Sequence, residues 1–275
     1  MAHPDIAFIG AGNMAQAIIG GLIADGYPRE RLIAAEPQPD QRESVEDRHG
    51  IRTVADNRAA VDNGQVVILA VKPQILRAVC QAIGPSVQAG HPLVISVAAG
   101  VCARDISRWL GNHVALIRVM PNSPALIGAG VAGMFANDLV DTAQRALAER
   151  LMRAVGSVVW LEDEALLDPV TAISGSGPAY FFLLMEIMVE VGAEMGLSRD
   201  AARKLTTETA LGAAKMALLS ERDLAVLRQQ VTSPGGTTEA AIRTFEREDL
   251  RGIVRAALVA ARDRGIEIAD TFGSD

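Results

Sequence analysis

The sequence predicts an α/β domain built on a parallel β-sheet, followed by an all-α domain. Over the first 120 residues, short apolar runs alternate with helix-like stretches, which is typical of a parallel sheet covered by helices on both faces. After residue 161 the strand-like runs stop, and all later segments have helical periodicity. We therefore expect the sheet domain over residues 1–162 and the helical domain over residues 163–275.

The predicted elements follow one another in a regular order. Strands are expected over residues 6–9, 32–35, 66–71, 93–97, 114–119 and 155–161. Helices are expected over 14–25 and 75–83, and then over 178–196, 198–219, 221–231, 236–247 and 249–268. A glycine-rich stretch around residues 128–133 is assigned to no element. The segment 178–196 is apolar on more than one face, so we expect it to be buried between helices of one or two subunits.

The composition excludes several classes of protein. With 49% apolar residues, the chain can bury its cores without disulfides. Its net charge of −7, without a basic run, argues against a nucleic-acid partner. The most apolar run, residues 66–71, is too short to cross a membrane, and the N-terminus does not read as a signal peptide. Two cysteines, Cys80 and Cys102, form neither a disulfide framework nor a zinc motif. We expect a cytoplasmic protein with no metal and no membrane partner.

A glycine-rich turn follows the first predicted strand and opens a helix. It consists of Gly10, Ala11, Gly12, Asn13, Met14 and Ala15. In this context the first glycine permits a tight turn, the second admits a pyrophosphate close to the backbone, and the alanine allows close helix packing. The helix N-terminus offers N–H groups to the phosphates. The turn predicts a dinucleotide site for NADPH or NADH, with a turn that binds no ligand as the alternative.

Glu36 follows the second predicted strand. An acidic residue at this spacing from the glycine-rich turn accepts hydrogen bonds from the ribose hydroxyls of NADH and repels the 2′-phosphate of NADPH. Pro37 follows directly and Arg42 lies a few residues on. An ordinary surface charge at a strand end is therefore the alternative, and the choice between NADH and NADPH stays open.

Two further strands end in proline-shaped loops. Lys72 and Pro73 follow the run 66–71, and ligands of open parallel sheets bind at the carboxyl ends of the strands. We expect Lys72 to point into the cofactor crevice; a solvated lysine is the alternative. Met120 and Asn122 follow the strand 114–119, where Asn122 can line the site of the nicotinamide carboxamide. A stiff connection without a ligand is the alternative there.

The helical half contains two loops of small polar residues, 174–178 and 233–238. Such loops present N–H groups and hydroxyls to an anion, although helix capping alone is the alternative for each. All four histidines lie in the first half, and no hydrolytic or metal-binding constellation can be assembled. Reduction of an electrophilic C=N bond needs less acid–base assistance than oxidation of an alcohol.

These motifs together resemble the pyrroline-5-carboxylate reductase family. The resemblance covers nearly the whole chain and depends on residues 10–15, 70–73, 96–101 (SVAAGV), 120–124, 168–180 (DPVTAISGSGPAY), 192–197 and above all 231–238 (VTSPGGTT). It implies a Rossmann-type domain, a helical dimerisation domain, and homodimers that can assemble into rings. It also implies reduction of 1-pyrroline-5-carboxylate to L-proline, the final step of proline biosynthesis, with NADPH or NADH.

The family's site residues carry over by position. Cofactor contacts are expected at residues 10–15 and at Glu36, Asn57, Ala70, Val71, Lys72, Pro73, Ala98, Ala99, Met120 and Asn122. Substrate contacts are expected at Glu221, Ser233, Gly235, Gly236, Thr237 and Thr238. Lys72 and Thr238 are the expected catalytic residues, with Thr238 hydrogen-bonded to the ring nitrogen. The family usually has a small polar residue where this chain has Glu36.

Two other classes of protein share parts of this plan. A β-hydroxyacid-type dehydrogenase would require a catalytic lysine on the long helix after the domain boundary, and residues 178–196 contain none. A nucleotide-sensing protein without catalytic activity would keep the glycine-rich turn but have no use for residues 233–238.

Overall fold

A computed structural model describes residues 3–62 and 64–273. Its first part is built around an eight-stranded sheet of order β3-β2-β1-β4-β5-β6-β7-β8. The strands are β1 (Ile6–Ile9), β2 (Leu32–Ala35), β3 (Arg52–Val54), β4 (Val66–Leu69), β5 (Leu93–Ser96), β6 (Leu116–Met120), β7 (Gly130–Ala136) and β8 (Gly156–Trp160). β1 pairs in parallel with both β2 and β4, so the strand order reverses beside β1. Ligands of such sheets bind at that switch point.

Among the described residues, seven α-helices lie before residue 171 and five lie after it. The first seven are α1 (Asn13–Ala24), α2 (Pro39–His49), α3 (Asn57–Val61), α4 (Pro73–Gly90), α5 (Ala103–Trp109), α6 (Thr142–Arg153) and α7 (Leu167–Val170). The others are α8 (Gly177–Glu194), α9 (Arg199–Leu219), α10 (Leu224–Gln230), α11 (Thr237–Arg247) and α12 (Leu250–Gly273). A π-helical turn, Thr171–Gly175, lies between α7 and α8. The predicted fold class is confirmed.

The central strands are apolar without alternation because both faces of the sheet are covered. In β1, Ile6 and Phe8 belong to one apolar core, while Ala7 and Ile9 belong to the other. β1, β2, β4 and β5 are buried along their whole lengths. This burial on two faces is what the continuous apolar runs in the sequence predict.

The sheet is not wholly parallel, because β7 runs antiparallel to β6. The glycine-rich sequence of β7 predicts no strand, since glycine has a low strand propensity. Packing requires glycine at two positions there. A Cβ atom on Gly133 would lie 2.8 Å from Val170 Cγ1, and one on Gly130 would lie 2.9 Å from the carbonyl oxygen of Val155. The short edge strand β3 was also missed.

The chain divides into two compact units. The first extends to Ser176 and includes the chain from Ala261 onward, and the second is Gly177–Ala260. The predicted domain boundary between residues 162 and 163 lies before this division and stays a prediction. Helix α12 begins in the second unit and ends in the first.

The second unit buries little of its own apolar surface. Among its described residues, Ala202 has the only buried apolar side chain, and this side chain packs beside Gly192 of α8. Large side chains on its helices are widely exposed, including Phe181 (66%), Phe182 (64%) and Leu219 (88%). The stretch Glu164–Glu194 is long and apolar enough to cross a membrane by length and composition alone. This corrects the expectation that no segment is long enough, which considered only uninterrupted apolar runs.

Candidate cofactor and substrate sites

The turn after β1 has the geometry of a phosphate-binding turn. Gly10 has φ of +90°, and a Cβ atom there would lie 2.9 Å from both the Ala70 carbonyl oxygen and Val71 Cγ1. Gly12 is the N-cap of α1, no side chain caps this helix, and nothing lies within 4 Å of the place where a Gly12 Cβ would be. The first N–H groups of a helix have no partner within it. The open space in front of α1 therefore fits the pyrophosphate of a dinucleotide.

The Glu36 carboxylate lies against this turn. Its Oε2 accepts a hydrogen bond from the Ala11 N–H (3.3 Å), and its Oε1 accepts one from the Gln38 N–H (3.2 Å). The Arg42 guanidinium donates to the backbone carbonyls of Glu36 and Pro37, each at 2.9 Å. Glu36 is thus directed towards the place where an adenosine ribose is expected, and its contact with the ribose stays a prediction.

The other cofactor residues lie at the carboxyl ends of neighbouring strands. Ala70 and Val71 follow β4, and the Ala70 N–H still donates to the Ile9 carbonyl at 2.9 Å. Lys72 is exposed and extended (φ −61°, ψ 144°) as the N-cap of α4, and Pro73 is the first residue of that helix. The remaining members of this set follow β5 or begin α3: Ala98, Ala99 and Asn57. The fold brings these segments to one edge of the sheet, while the ligand contacts and the catalytic role of Lys72 stay predictions.

The side chain of Asn122 hydrogen-bonds two other segments of the chain. Its Oδ1 accepts a hydrogen bond from the Val131 N–H (2.9 Å), and its Nδ2 donates to the Ser174 carbonyl (3.1 Å). The residue is buried, and nearby a Cβ on Gly175 would lie 2.5 Å from Met120 Cε. These contacts support the stiff connection that the sequence analysis left open, and contact with a carboxamide stays a prediction.

The expected anion-binding loop at residues 174–178 is helical instead. Ser174 and Gly175 belong to the π-helical turn, closed by a hydrogen bond of 2.8 Å from the Ser176 N–H to the Thr171 carbonyl. The Ser174 hydroxyl donates to the Val170 carbonyl at 3.0 Å. The small residues predict a loop, but here Gly175 permits the close approach of Met120 to a π-helical turn, which Ser176 separates from α8.

A partly buried ion pair beside the cofactor edge was missed. Arg118 of β6 has a side chain that is 10% exposed, and its Nη1 lies 2.6 Å from Glu164 Oε1. Glu164 Oε1 also accepts a hydrogen bond of 2.6 Å from the N–H of Ala103, the first residue of α5. This bond fixes the start of α5, which follows the turn 98–101. Burial raises the pKa of the neighbouring Asp168, and the Arg118 charge partly offsets that rise. The feature of the sequence that could have indicated this pair is a single arginine within an otherwise apolar strand.

The predicted substrate residues lie in the helical unit. Gly235 has φ of +72°, and its N–H donates to Glu239 Oε2 at 2.7 Å, while the Gly236 N–H donates to the Ser233 carbonyl at 3.0 Å. Thr237 and Thr238 begin α11, and within the described part of the chain their hydroxyls make no hydrogen bond. Glu221 is exposed between α9 and α10. The backbone role of Glu239 was missed, and the substrate contacts stay predictions.

Comparison with known proteins agrees with this architecture. A family model described as pyrroline-5-carboxylate reductase dimerisation matches residues 164–268, and one described as NADP oxidoreductase, coenzyme F420-dependent, matches residues 5–100. A pyrroline-5-carboxylate reductase of Pseudomonas aeruginosa is 49% identical over 99% of this chain and 100% of its own length.

Two solved structures extend the comparison. The pyrroline-5-carboxylate reductase of Coxiella burnetii has a TM-score of 0.93 at 44% identity and covers 98% of this chain and 99% of its own. The Plasmodium falciparum pyrroline carboxylate reductase, solved with NADP bound, has a TM-score of 0.87 at 26% identity, with 98% of this chain and 99% of its own covered.

The sheet, its dinucleotide turn and these matches define an NAD(P)H-dependent oxidoreductase. Such enzymes act on many substrates, and the full-length similarity narrows the class. The chain belongs to the pyrroline-5-carboxylate reductase family. The expectations of family, activity and cofactor class drawn from the sequence are confirmed.

The Arg118–Glu164 pair yields a prediction about stability. Arg118→Met leaves the Glu164 carboxylate without its cation in a partly buried place, so we expect a loss of about 2 kcal/mol in the free energy of unfolding at neutral pH. Chemical denaturation of both proteins measures this loss. The exposed pair Arg153–Glu149 (2.7 Å) provides the control, because Arg153→Met should cost less than about 1 kcal/mol. Equal losses for the two variants would contradict a larger stabilising contribution of the Arg118–Glu164 pair.

Proposed function

We propose that this chain reduces the C=N bond of 1-pyrroline-5-carboxylate with NAD(P)H to give L-proline, in the last step of proline biosynthesis. The observation that carries the proposal is the start of α11 after the turn 233–236. Its first N–H groups are uncapped, and the hydroxyls of Ser233, Thr237 and Thr238 are unengaged among the described residues. The small anionic substrate has a carboxylate and a ring nitrogen, and both are suited to such donors.

The roles of the residues follow from these two groups. Uncapped N–H groups at the start of α11 and the Ser233 hydroxyl hold the carboxylate, because the Gly235 and Gly236 N–H groups already have partners. The Thr238 hydroxyl hydrogen-bonds the ring nitrogen, which gains electron density during reduction. The reduced nicotinamide, when bound, supplies the hydride. Orientation by the protein does most of the catalytic work, no covalent bond to the enzyme is needed, and solvent can supply the proton on nitrogen.

The activity is tested by steady-state oxidation of NADPH and NADH with a panel of substrates. We expect turnover with 1-pyrroline-5-carboxylate and little with 2-keto acids; the reverse reaction should be poor with 3-hydroxy acids. Efficient oxidation of 3-hydroxy acids would favour a dehydrogenase instead. Binding of dinucleotide without turnover of any substrate would favour a nucleotide sensor.

Glu36 gives a prediction about cofactor preference. We expect the wild type to use NADH appreciably, because the carboxylate accepts hydrogen bonds from a ribose diol and repels a 2′-phosphate. Glu36→Ser should raise the ratio of kcat/KM for NADPH to that for NADH by about tenfold or more, the effect of one charge-assisted contact. Glu43→Ser on the exposed face of α2 is the control and should leave the ratio unchanged. An overwhelming preference of the wild type for NADPH would contradict the charge argument.

Thr238 gives a prediction about catalysis. Thr238→Val keeps the shape of the side chain and removes one hydrogen bond that strengthens during reduction, so kcat should fall on the order of 10- to 100-fold while cofactor affinity hardly changes. Thr244→Val, which removes a hydroxyl bonded to the Ala240 carbonyl (3.2 Å) in the same helix, is the control and should keep kcat. An unchanged kcat with a lowered melting temperature for Thr238→Val would reduce the hydroxyl to a stabilising role.

We also propose that the second unit forms a homodimer, with rings of dimers as a further assembly. Exposed apolar side chains along α8, α9 and α12 support this proposal, because they are accessible to solvent in a single protomer and a partner subunit would bury them. The same need for a partner accounts for the apolar stretch Glu164–Glu194 without a membrane. A cytoplasmic location is part of the proposal, in line with the free cysteines Cys80 and Cys102.

The dimer is tested by sedimentation at assay concentration. We expect no stable monomer, because the helices of one chain lack a core of their own. The melting temperature should therefore rise with protein concentration. A folded monomer of 29.0 kDa would contradict the proposal.

A further inference from the structure

The peptide groups on both sides of Ala11 are hydrogen-bonded by side chains from α1, from α2 and from the segment after β2. The Ala11 N–H donates to Glu36 Oε2, as described above. The Ala11 carbonyl accepts two hydrogen bonds, one from Gln16 Nε2 of α1 and one from Gln41 Nε2 of α2, each at 3.0 Å. Ala11 is fully buried, so these partners replace the water that a turn on the surface would use.

The orientation of the Gln16 amide is itself determined. Its Oε1 accepts a hydrogen bond from Arg48 Nη1 at 3.3 Å, which leaves its Nε2 to face the Ala11 carbonyl. Gln16 is 8% exposed, whereas Gln41 is half-buried and Arg48 is exposed. A glutamine amide in the opposite orientation would place two oxygens against each other and its N–H groups against a cation. Arg48 therefore selects the donor orientation of Gln16.

Fixing the Ala11 carbonyl also fixes the next N–H group. The peptide bond is planar, and none is cis in the described chain, so the Gly12 N–H points away from the Ala11 carbonyl. Because the carbonyl points at Gln16 and Gln41, the Gly12 N–H is directed to the opposite side. Gly12 and Asn13 are both exposed there, at the N-terminus of α1.

We propose that Gln16 and Gln41 are positioning residues that set this peptide plane, so that the Gly12 N–H group is preorganised for the dinucleotide pyrophosphate. Arg48 acts through Gln16. The inference rests on the proposed placement of the cofactor at this turn. It extends the cofactor site to residues that touch neither the nucleotide nor the substrate, and it does not depend on which imine is reduced.

The test is equilibrium binding of NADH, NADPH and ADP-ribose to the full-length protein by calorimetry. Gln16→Met and Gln41→Met each remove one donor from the Ala11 carbonyl, and each should raise Kd for all three ligands by about 2- to 10-fold. The double variant should raise Kd by more than either, because the carbonyl is then free to rotate. With saturating cofactor, kcat should stay within about twofold of wild type, since neither residue contacts the reacting atoms.

Gln88→Met is the matched control. Gln88 also donates its amide to two backbone carbonyls, those of Leu110 (3.0 Å) and Asn112 (2.8 Å), but these lie beside the start of β6, at the end of the strand opposite the cofactor edge. This variant should lower the melting temperature without changing Kd. Gln41→Met, at a half-buried site, keeps the test available if Gln16→Met folds poorly.

Arg48→Met tests the selection of amide orientation. It should raise Kd in the wild-type background and have no effect in the Gln16→Met background, because Arg48 acts through that amide. Unchanged Kd in the double glutamine variant, with a lowered melting temperature, would overturn the proposal and leave the two residues a purely structural role. The binding measurement contains no imine, so a wrong substrate assignment would not affect it.

Discussion

The close approach of the β1 turn to the loop after β4 is the constraint on which the cofactor edge depends. With only 2.9 Å between a hypothetical Gly10 Cβ and the Ala70 carbonyl oxygen, the chain can turn here only through glycine in a left-handed conformation. This turn starts α1 directly at the end of β1. The helix therefore begins where the strand order reverses, and its unpaired N–H groups lie beside the crevice. A side chain at residue 10 would displace either the turn or the Ala70–Val71 segment.

The two units solve the problem of burial in different ways. The sheet unit has two apolar cores, one on each face of its central strands, and is complete within one chain. The helical unit presents apolar residues on several faces and buries almost none of them. Amphipathic helices gain most of their stability from packing, so these helices depend on apolar surfaces outside their own unit. The folding stability of this part of the chain consequently depends on its assembly with such a surface.

The sequence was sufficient for the features that depend on local patterns. Buried parallel strands, the glycine turn after β1 and the helix α11, predicted from residue 236 and observed from Thr237, all follow from short segments with distinctive physical chemistry. β7 was missed because its glycines serve the approach of Val170 and Val155, and strand propensity carries no information about such neighbours.

Contacts between distant residues were beyond local patterns. Glu164 lies 46 positions from Arg118, and Asn122 lies 52 positions from Ser174. No pattern within a short segment of the sequence therefore predicts either pair. The amide donors to Ala11 were missed for the same reason, since glutamine on a helix normally faces water. In contrast, the direction of Glu36 could be anticipated, because the end of β2 is next to β1 by the rules of sheet topology. Residues that face a ligand at the end of a strand are thus easier to predict than the distant residues that hold them in position.

The return of α12 to the first unit has a consequence for synthesis on the ribosome. Residues from Ala261 onward belong with the sheet, and Ile268 Cγ2 lies 3.0 Å from where a Gly100 Cβ would be. Ile268 leaves the exit tunnel only after the whole helical unit, Gly177–Ala260, has been made. The sheet unit therefore stays incomplete during the synthesis of the helical unit, although its strands emerge first. Nascent chains acquire the neighbour of the turn after β5 only when Ile268 has been made, and truncation before that residue would leave the turn without it.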